Sequence, residues 1–112
     1  MRIRTTLTAA LGALALIVAV PGSASAALGE FSYRYVNQLG VTVPGALLDP
    51  VSGECINVPE LLADSDAHSP HNLTNSTATV FLDKDCDGDV YYTMAPGKRL
   101  GERLHFRSVI FS

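Results

Sequence analysis

Several kinds of residue and pattern are scarce in this chain, and each scarcity removes a class of function. Positive charge is the first. Residues 27–112 carry six basic side chains (Arg34, Lys84, Lys98, Arg99, Arg103, Arg107) against eleven acidic ones, a net charge of −5. So acidic a chain has no electrostatic footprint for nucleic acid or for anionic lipid. Its one basic cluster, Lys98-Arg99 with Arg103 and Arg107, reads as a solvated strand end. Cysteine is the second: Cys55 and Cys86 are the only two, with no C-x-x-C spacing to suggest a reactive thiol pair. No serine sits in a G-x-S-x-G elbow, and no nucleophile stands beside an evident base. Sustained helical periodicity is absent beyond residue 26, and so is any long hydrophobic run.

The long apolar run lies before that point. Arg2 and Arg4 precede an apolar stretch from Leu7 to Val20, which Pro21-Gly22 ends, and Ala24-Ser25-Ala26 follows with small side chains. This is the pattern of a secretory signal peptide cleaved after Ala26, and the run is short for a membrane span of about 20 residues. The sequence therefore divides into a signal peptide, residues 1–26, and a single exported β domain, residues 27–112, which is free of the membrane once cleaved. Removing the leader also explains the overall 47% hydrophobic content, because the discarded segment inflates it.

Export makes the cysteine pair informative. An even count in an oxidising compartment reads as a Cys55–Cys86 disulfide. Closing a loop of about 32 residues stabilises the fold by about 3–4 kcal/mol on the chain-entropy model. That contribution matters in a chain with one modest core.

Along residues 27–112 the pattern is strand after strand. Phe31, Tyr33 and Tyr35 alternate with Ser32, Arg34 and Val36, a period of two in residue types that suit a pleated surface. Asn37 to Gly40 turns the chain, and strand is expected at Val41–Val43 and Ala46–Leu48, on either side of Pro44-Gly45. A short strand is expected from Glu54 to Val58, with Ile56 and Val58 facing away from Cys55 and Asn57. One helical turn is expected at Pro59–Leu62. Ala63 to Asn75 reads as a polar loop without periodicity. Ser76–Leu82, Asp89–Met94 and Leu104–Phe111 read as the remaining strands. Six or seven short strands at spacings of about ten residues, with almost no helix, predict an all-β antiparallel sandwich or barrel. Ala78-Thr79-Val80-Phe81 is echoed by Ser108-Val109-Ile110-Phe111, and each half carries one cysteine, which suggests an internal duplication.

Phe81-Leu82-Asp83-Lys84-Asp85-Cys86-Asp87-Gly88 resembles the signature of a βγ-crystallin Greek-key motif: an aromatic, four residues, a second large residue, one residue, then glycine. The resemblance implies an antiparallel Greek-key sandwich. In it Gly88 lets a hairpin fold over, Ser108 opens the closing strand, and Cys86 replaces the usual second aromatic. It covers the second half of the chain directly and the first half through the echo. The whole chain is also similar to small secreted bacterial proteins.

Two clusters could carry chemistry. Asp83, Asp85, Asp87 and Asp89 alternate around Gly88, matching the first half of a D-x-D-x-D-G calcium loop. Met94 stands where the twelfth-position glutamate would be, and an acidic Asp-Gly hairpin turn is the competing reading. βγ-crystallin domains that bind calcium use an N/D-N/D-x-x-S/T-S box; here Arg103 to Ser108 keeps only its last ligand, and Asn72 to Thr77 matches in part. The second cluster is His68 and His71, three apart beside Asp64 and Asp66, a spacing that can hold a transition metal or else simply face solvent. His105 is expected on a strand. Asn72-Leu73-Thr74 and Asn75-Ser76-Thr77 are overlapping glycosylation sequons.

The expected function is a non-enzymatic binding or inhibitory module, monomeric, presenting residues 63–75 to an extracellular protein partner. The alternatives are a calcium-stabilised structural protein and a small secreted hydrolase using His68, His71 and the two aspartates.

Overall fold

A computed structural model describes residues 26–63 and 65–112. Apart from Ala26, the segment expected to be a signal peptide, residues 1–26, lies outside the described residues, as does Asp64. Among the described residues the protein is all-β. Its strands are β1 (Gly29–Val36), β2 (Thr42–Leu48), β3 (Cys55–Asn57), β4 (Ala67–Thr74), β5 (Ala78–Phe81), β6 (Tyr91–Met94), β7 (His105–Phe106) and β8 (Ser108–Phe111). They form two four-stranded sheets, ordered β2-β1-β4-β7 and β3-β8-β5-β6, with every pairing antiparallel. The first half of the chain contributes three strands to the first sheet and its third strand, β3, to the second. In the second half the pattern repeats: three strands lie in the second sheet and β7 joins the first.

The inward faces of the two sheets meet in one core. Phe31 of β1 is its centre, packed edge-on to Phe111 of the opposite sheet (5.4 Å between ring centres) and to Phe106 of β7 (5.9 Å). Tyr33 meets Phe106 edge-on at 6.0 Å. Edge-to-face contacts of this kind add to the free energy gained by burying the rings. Val80, Met94 and Val109 close the core from the second sheet. The alternation expected around Phe31 and Tyr33 is thus the alternation observed, with Ser32 and Arg34 on the outer face.

Two turns of the chain differ from the sequence expectation for small reasons. β2 runs unbroken through Pro44-Gly45. It is an edge strand, where a missing N–H is tolerated, and Gly45 lies against the Tyr33 ring so closely that a Cβ would collide with it. Pro59-Glu60 forms a turn rather than the start of a helix; Ser65 holds the following bend by accepting from the Leu62 N–H at 2.9 Å.

Two other differences are larger. The supposed polar loop 63–75 contains β4, an eight-residue strand between β1 and β7. Its inward residues are Ala67, Pro70, Asn72 and Thr74, all buried, so the strand has no large apolar alternation to detect. Ser69 adopts φ +54° and inserts a bulge, shifting the register against β1 between Ser32 and Arg34 and breaking the period of two. The second difference is the expected last strand, Leu104–Phe111. It divides at Arg107 into β7 and β8, which belong to different sheets.

Asn72 lets a polar strand occupy the middle of a sheet. It is fully buried, and its amide nitrogen donates to Ser76 O (2.8 Å) and to Met94 O (3.0 Å) on β6. Its Oδ1 accepts from the Thr74 N–H (3.1 Å) and hydroxyl (2.7 Å). One side chain thereby ties the first sheet to the second, with all its donors and acceptors used. Burial also removes Asn72 from the surface, so the sequon Asn72-Leu73-Thr74 is inaccessible in the folded protein.

Candidate functional site

The outer face of the second sheet is partly covered by the β5–β6 hairpin. Residues 83–88 fold back over it, with Asp85 at φ +62°, Cys86 at +53° and Gly88 at +85°. Consecutive left-handed residues are costly unless the surroundings hold them, and several anchors do so. The buried Ser108 hydroxyl donates to Asp83 O (2.6 Å) and accepts from the Cys86 N–H (2.9 Å). Asn57 accepts from the Asp85 N–H (2.7 Å) and donates to its carboxylate (2.9 Å). Cys86 is bonded to Cys55, with Cα atoms 5.8 Å apart. Gly88 is favoured by its backbone angle; a Cβ there would also displace the exposed Asp83 carboxylate.

The four aspartates of this hairpin are all exposed. Asp85 is engaged by Asn57, Asp87 accepts from the Gly88 N–H at 2.8 Å, and Asp83 packs against Gly88. Among the described residues no group of three or more His, Cys, Asp or Glu converges as a metal site.

The outer face of the first sheet is different. The β1–β2 hairpin extends as regular paired strand, and two open clefts of about 410 and 780 Å³ lie on this face, both lined by Arg34 and Glu102. Together they form one groove. The strand register arranges its side chains in two rows across the sheet. The first row is Arg34 on β1, opposite His68 on β4, opposite His105 on β7. The second row is Ser32 on β1, opposite His71 on β4, bridged in turn to Arg99. All three histidines of the protein therefore share one face.

The structure separates His68 from His71 and gives each a different partner. His68 lies beside His105, ring centres 5.8 Å apart, and its Nδ1 is 2.9 Å from the Ser69 hydroxyl. His71 Nδ1 is 3.4 Å from the Arg99 guanidinium. Asp66, expected beside the histidines, is held by Arg107, whose Nε donates to it at 2.6 Å, and its other oxygen is 3.6 Å from His105 Nδ1. Arg34 and Glu102, which reading the sequence did not single out, have no hydrogen-bonding or ionic partner among the described residues. The outward position of Arg34 is legible from the alternation of β1. Its neighbours are not, because they depend on the register across the bulge.

Beneath the face, Tyr33 is buried and its hydroxyl donates to Glu60 Oε1 at 2.6 Å. Burial, then the Glu60 hydrogen bond and charge, push the Tyr33 phenol well above the ordinary tyrosine range.

Compared with protein-family models, with curated proteins and with solved structures, the chain matches none. Among the described residues no helix is long and apolar enough to cross a membrane.

Proposed function

We propose that the protein is a secreted, non-enzymatic binding or inhibitory module that uses the groove on the outer face of its first sheet to engage an extracellular protein. The observation that carries this reading is the pair of side-chain rows around Arg34, in which every member but Arg99 is displayed on a paired strand. Groups presented on strands lose little freedom when bound, so more of the contact energy appears as affinity. The surface once expected in residues 63–75 as a loop is thereby moved to the face of β4.

The architecture supports a βγ-crystallin-like pair of Greek keys. Each half lends its third strand to the other sheet, and the folded hairpin has glycine at position 88 and a serine anchor at 108. Secretion is supported by the signal-peptide pattern of residues 1–26 and by the disulfide. Affinity capture from the extracellular medium tests the proposal, with wild-type protein beside a Ser32→Trp variant that fills the groove. A partner retained by wild type and lost by the variant supports it. Recovery of no partner, or equal recovery by both, refutes it.

A second reading, a calcium-stabilised structural protein, rests on the exposed carboxylates of Asp83, Asp85, Asp87 and Asp89. A melting temperature that rises with millimolar calcium would support it, and an unchanged one would remove it.

A further inference from the structure

The ligand chemistry of the groove follows from how its charges are balanced. Asp66 is engaged by Arg107, which leaves Glu102 as the one carboxylate lining the clefts without a partner among the described residues. Lining the same two clefts are Arg34, also without a partner, with Arg99 and His71 in one and His68 and His105 in the other. A chain that is acidic overall has thus gathered guanidinium and imidazole groups on one face. Guanidinium is matched in shape to carboxylate and phosphate, which accept two parallel hydrogen bonds from it.

The spacing of these groups discriminates between a compact anion and an extended one. Arg34, His68 and His105 stand on three successive strands, and adjacent strands are about 4.8 Å apart. Ser32, His71 and Arg99 form a second row beside them. The two guanidiniums stand in different rows, Arg34 opposite His68 and Arg99 turned onto His71 at 3.4 Å, and are not paired on a single point as a phosphate clamp would be. A peptide with several carboxylates can meet the rows one group at a time.

We propose that the groove binds an acidic peptide segment of the partner protein, with Arg34 taking a carboxylate as the central anchor and Arg99 and the histidines meeting its neighbours. This rests on the reading of the protein as a binding module and names the chemistry of what that module recognises.

Titration of the purified, disulfide-bonded protein with a hexaglutamate peptide at low ionic strength, followed by backbone amide NMR, tests it. The expected result is saturable shifts confined to β1, β4, β7 and residues 99–102, weakening with added salt, and none at those residues with hexalysine, whose charge is matched instead by the exposed Asp83, Asp85, Asp87 and Asp89. Arg34→Gln should weaken the peptide about tenfold or more. Since Arg34 is exposed and unpartnered, that variant should melt with the wild type. Glu102→Gln, which removes the opposing carboxylate, should tighten binding. Absence of saturable shifts, equal binding by Arg34→Gln, or inorganic phosphate binding the same residues as tightly as the peptide would each overturn the proposal. A protein partner captured equally by wild type and Arg34→Gln would overturn it too, while leaving the binding-module reading in place.

Discussion

Replacing Asn72 by alanine should bring this protein close to unfolding. The side chain makes four hydrogen bonds: to Ser76 O, to Met94 O, and from the N–H and hydroxyl of Thr74. The Thr74 hydroxyl has a second acceptor in Ser76 O at 3.1 Å, so it is not stranded by the change. Met94 O and the Thr74 N–H lose this partner in a dry interior. At about 1–3 kcal/mol for each buried group left unsatisfied, and with a small cavity added, the loss comes to about 3–5 kcal/mol. Domains of this size are stable by only about 4–13 kcal/mol, so the variant should retain a fraction of the wild-type margin. Urea denaturation under non-reducing conditions measures it, with Leu73→Ala as the neighbouring control, since Leu73 is 50% exposed and its loss should cost about 0.5 kcal/mol or less. Asn72→Asp is a second control: it keeps the acceptor for Thr74 but turns a carboxylate oxygen toward two carbonyls, and should be no better than alanine at neutral pH. A loss below about 1 kcal/mol in Asn72→Ala would refute the claim that this residue joins the two sheets.

The Tyr33 phenol is raised by folding, so its contribution to stability is complete below the ordinary tyrosine value of about 10 and is lost as pH rises above it; alkaline titration followed by ultraviolet absorbance should show one of the four tyrosines ionising only as the protein unfolds. Tyr33→Phe should remove that alkaline sensitivity at a cost of about 1 kcal/mol, because Glu60 is exposed and can be solvated again. Ser108→Ala leaves Asp83 O and the Cys86 N–H without their anchor and should cost about 1–3 kcal/mol in denaturant unfolding. Opening the Cys55–Cys86 bond, whose partners are 31 residues apart, by a double alanine substitution should lower stability by about 3–4 kcal/mol, and an unchanged melting temperature would show that the hairpin anchors alone hold residues 83–88.

Much of the architecture is legible in single residues. Phe31, Tyr33 and Tyr35 declare β1 because large apolar side chains at every second position leave only one way to face a core. Gly88 after an aspartate declares a tight hairpin, and two cysteines in a chain expected to be exported declare a bond. β4 escapes the same reasoning. Its inward positions hold alanine, proline, asparagine and threonine, and the bulge at Ser69 moves the period midway. A buried asparagine looks like a loop residue until the carbonyls it satisfies are known, and those belong to Met94 and Ser76. The division at Arg107 is likewise hidden, since Leu104 to Phe111 reads as one run although its two parts serve different sheets.

The candidate site follows the same division. Local sequence determined the strand-rich class, the outward direction of Arg34, the acidic hairpin and the disulfide, because each depends on neighbours a few residues away or on a count. Only the tertiary structure decided that His68 meets His105 rather than His71, that Asp66 belongs to Arg107, and that Arg99 crosses to His71. Those contacts join residues 28 to 41 positions apart. They are set by strand order and by one bulge in register, and a shift of a single residue would have turned the same side chains to the opposite face.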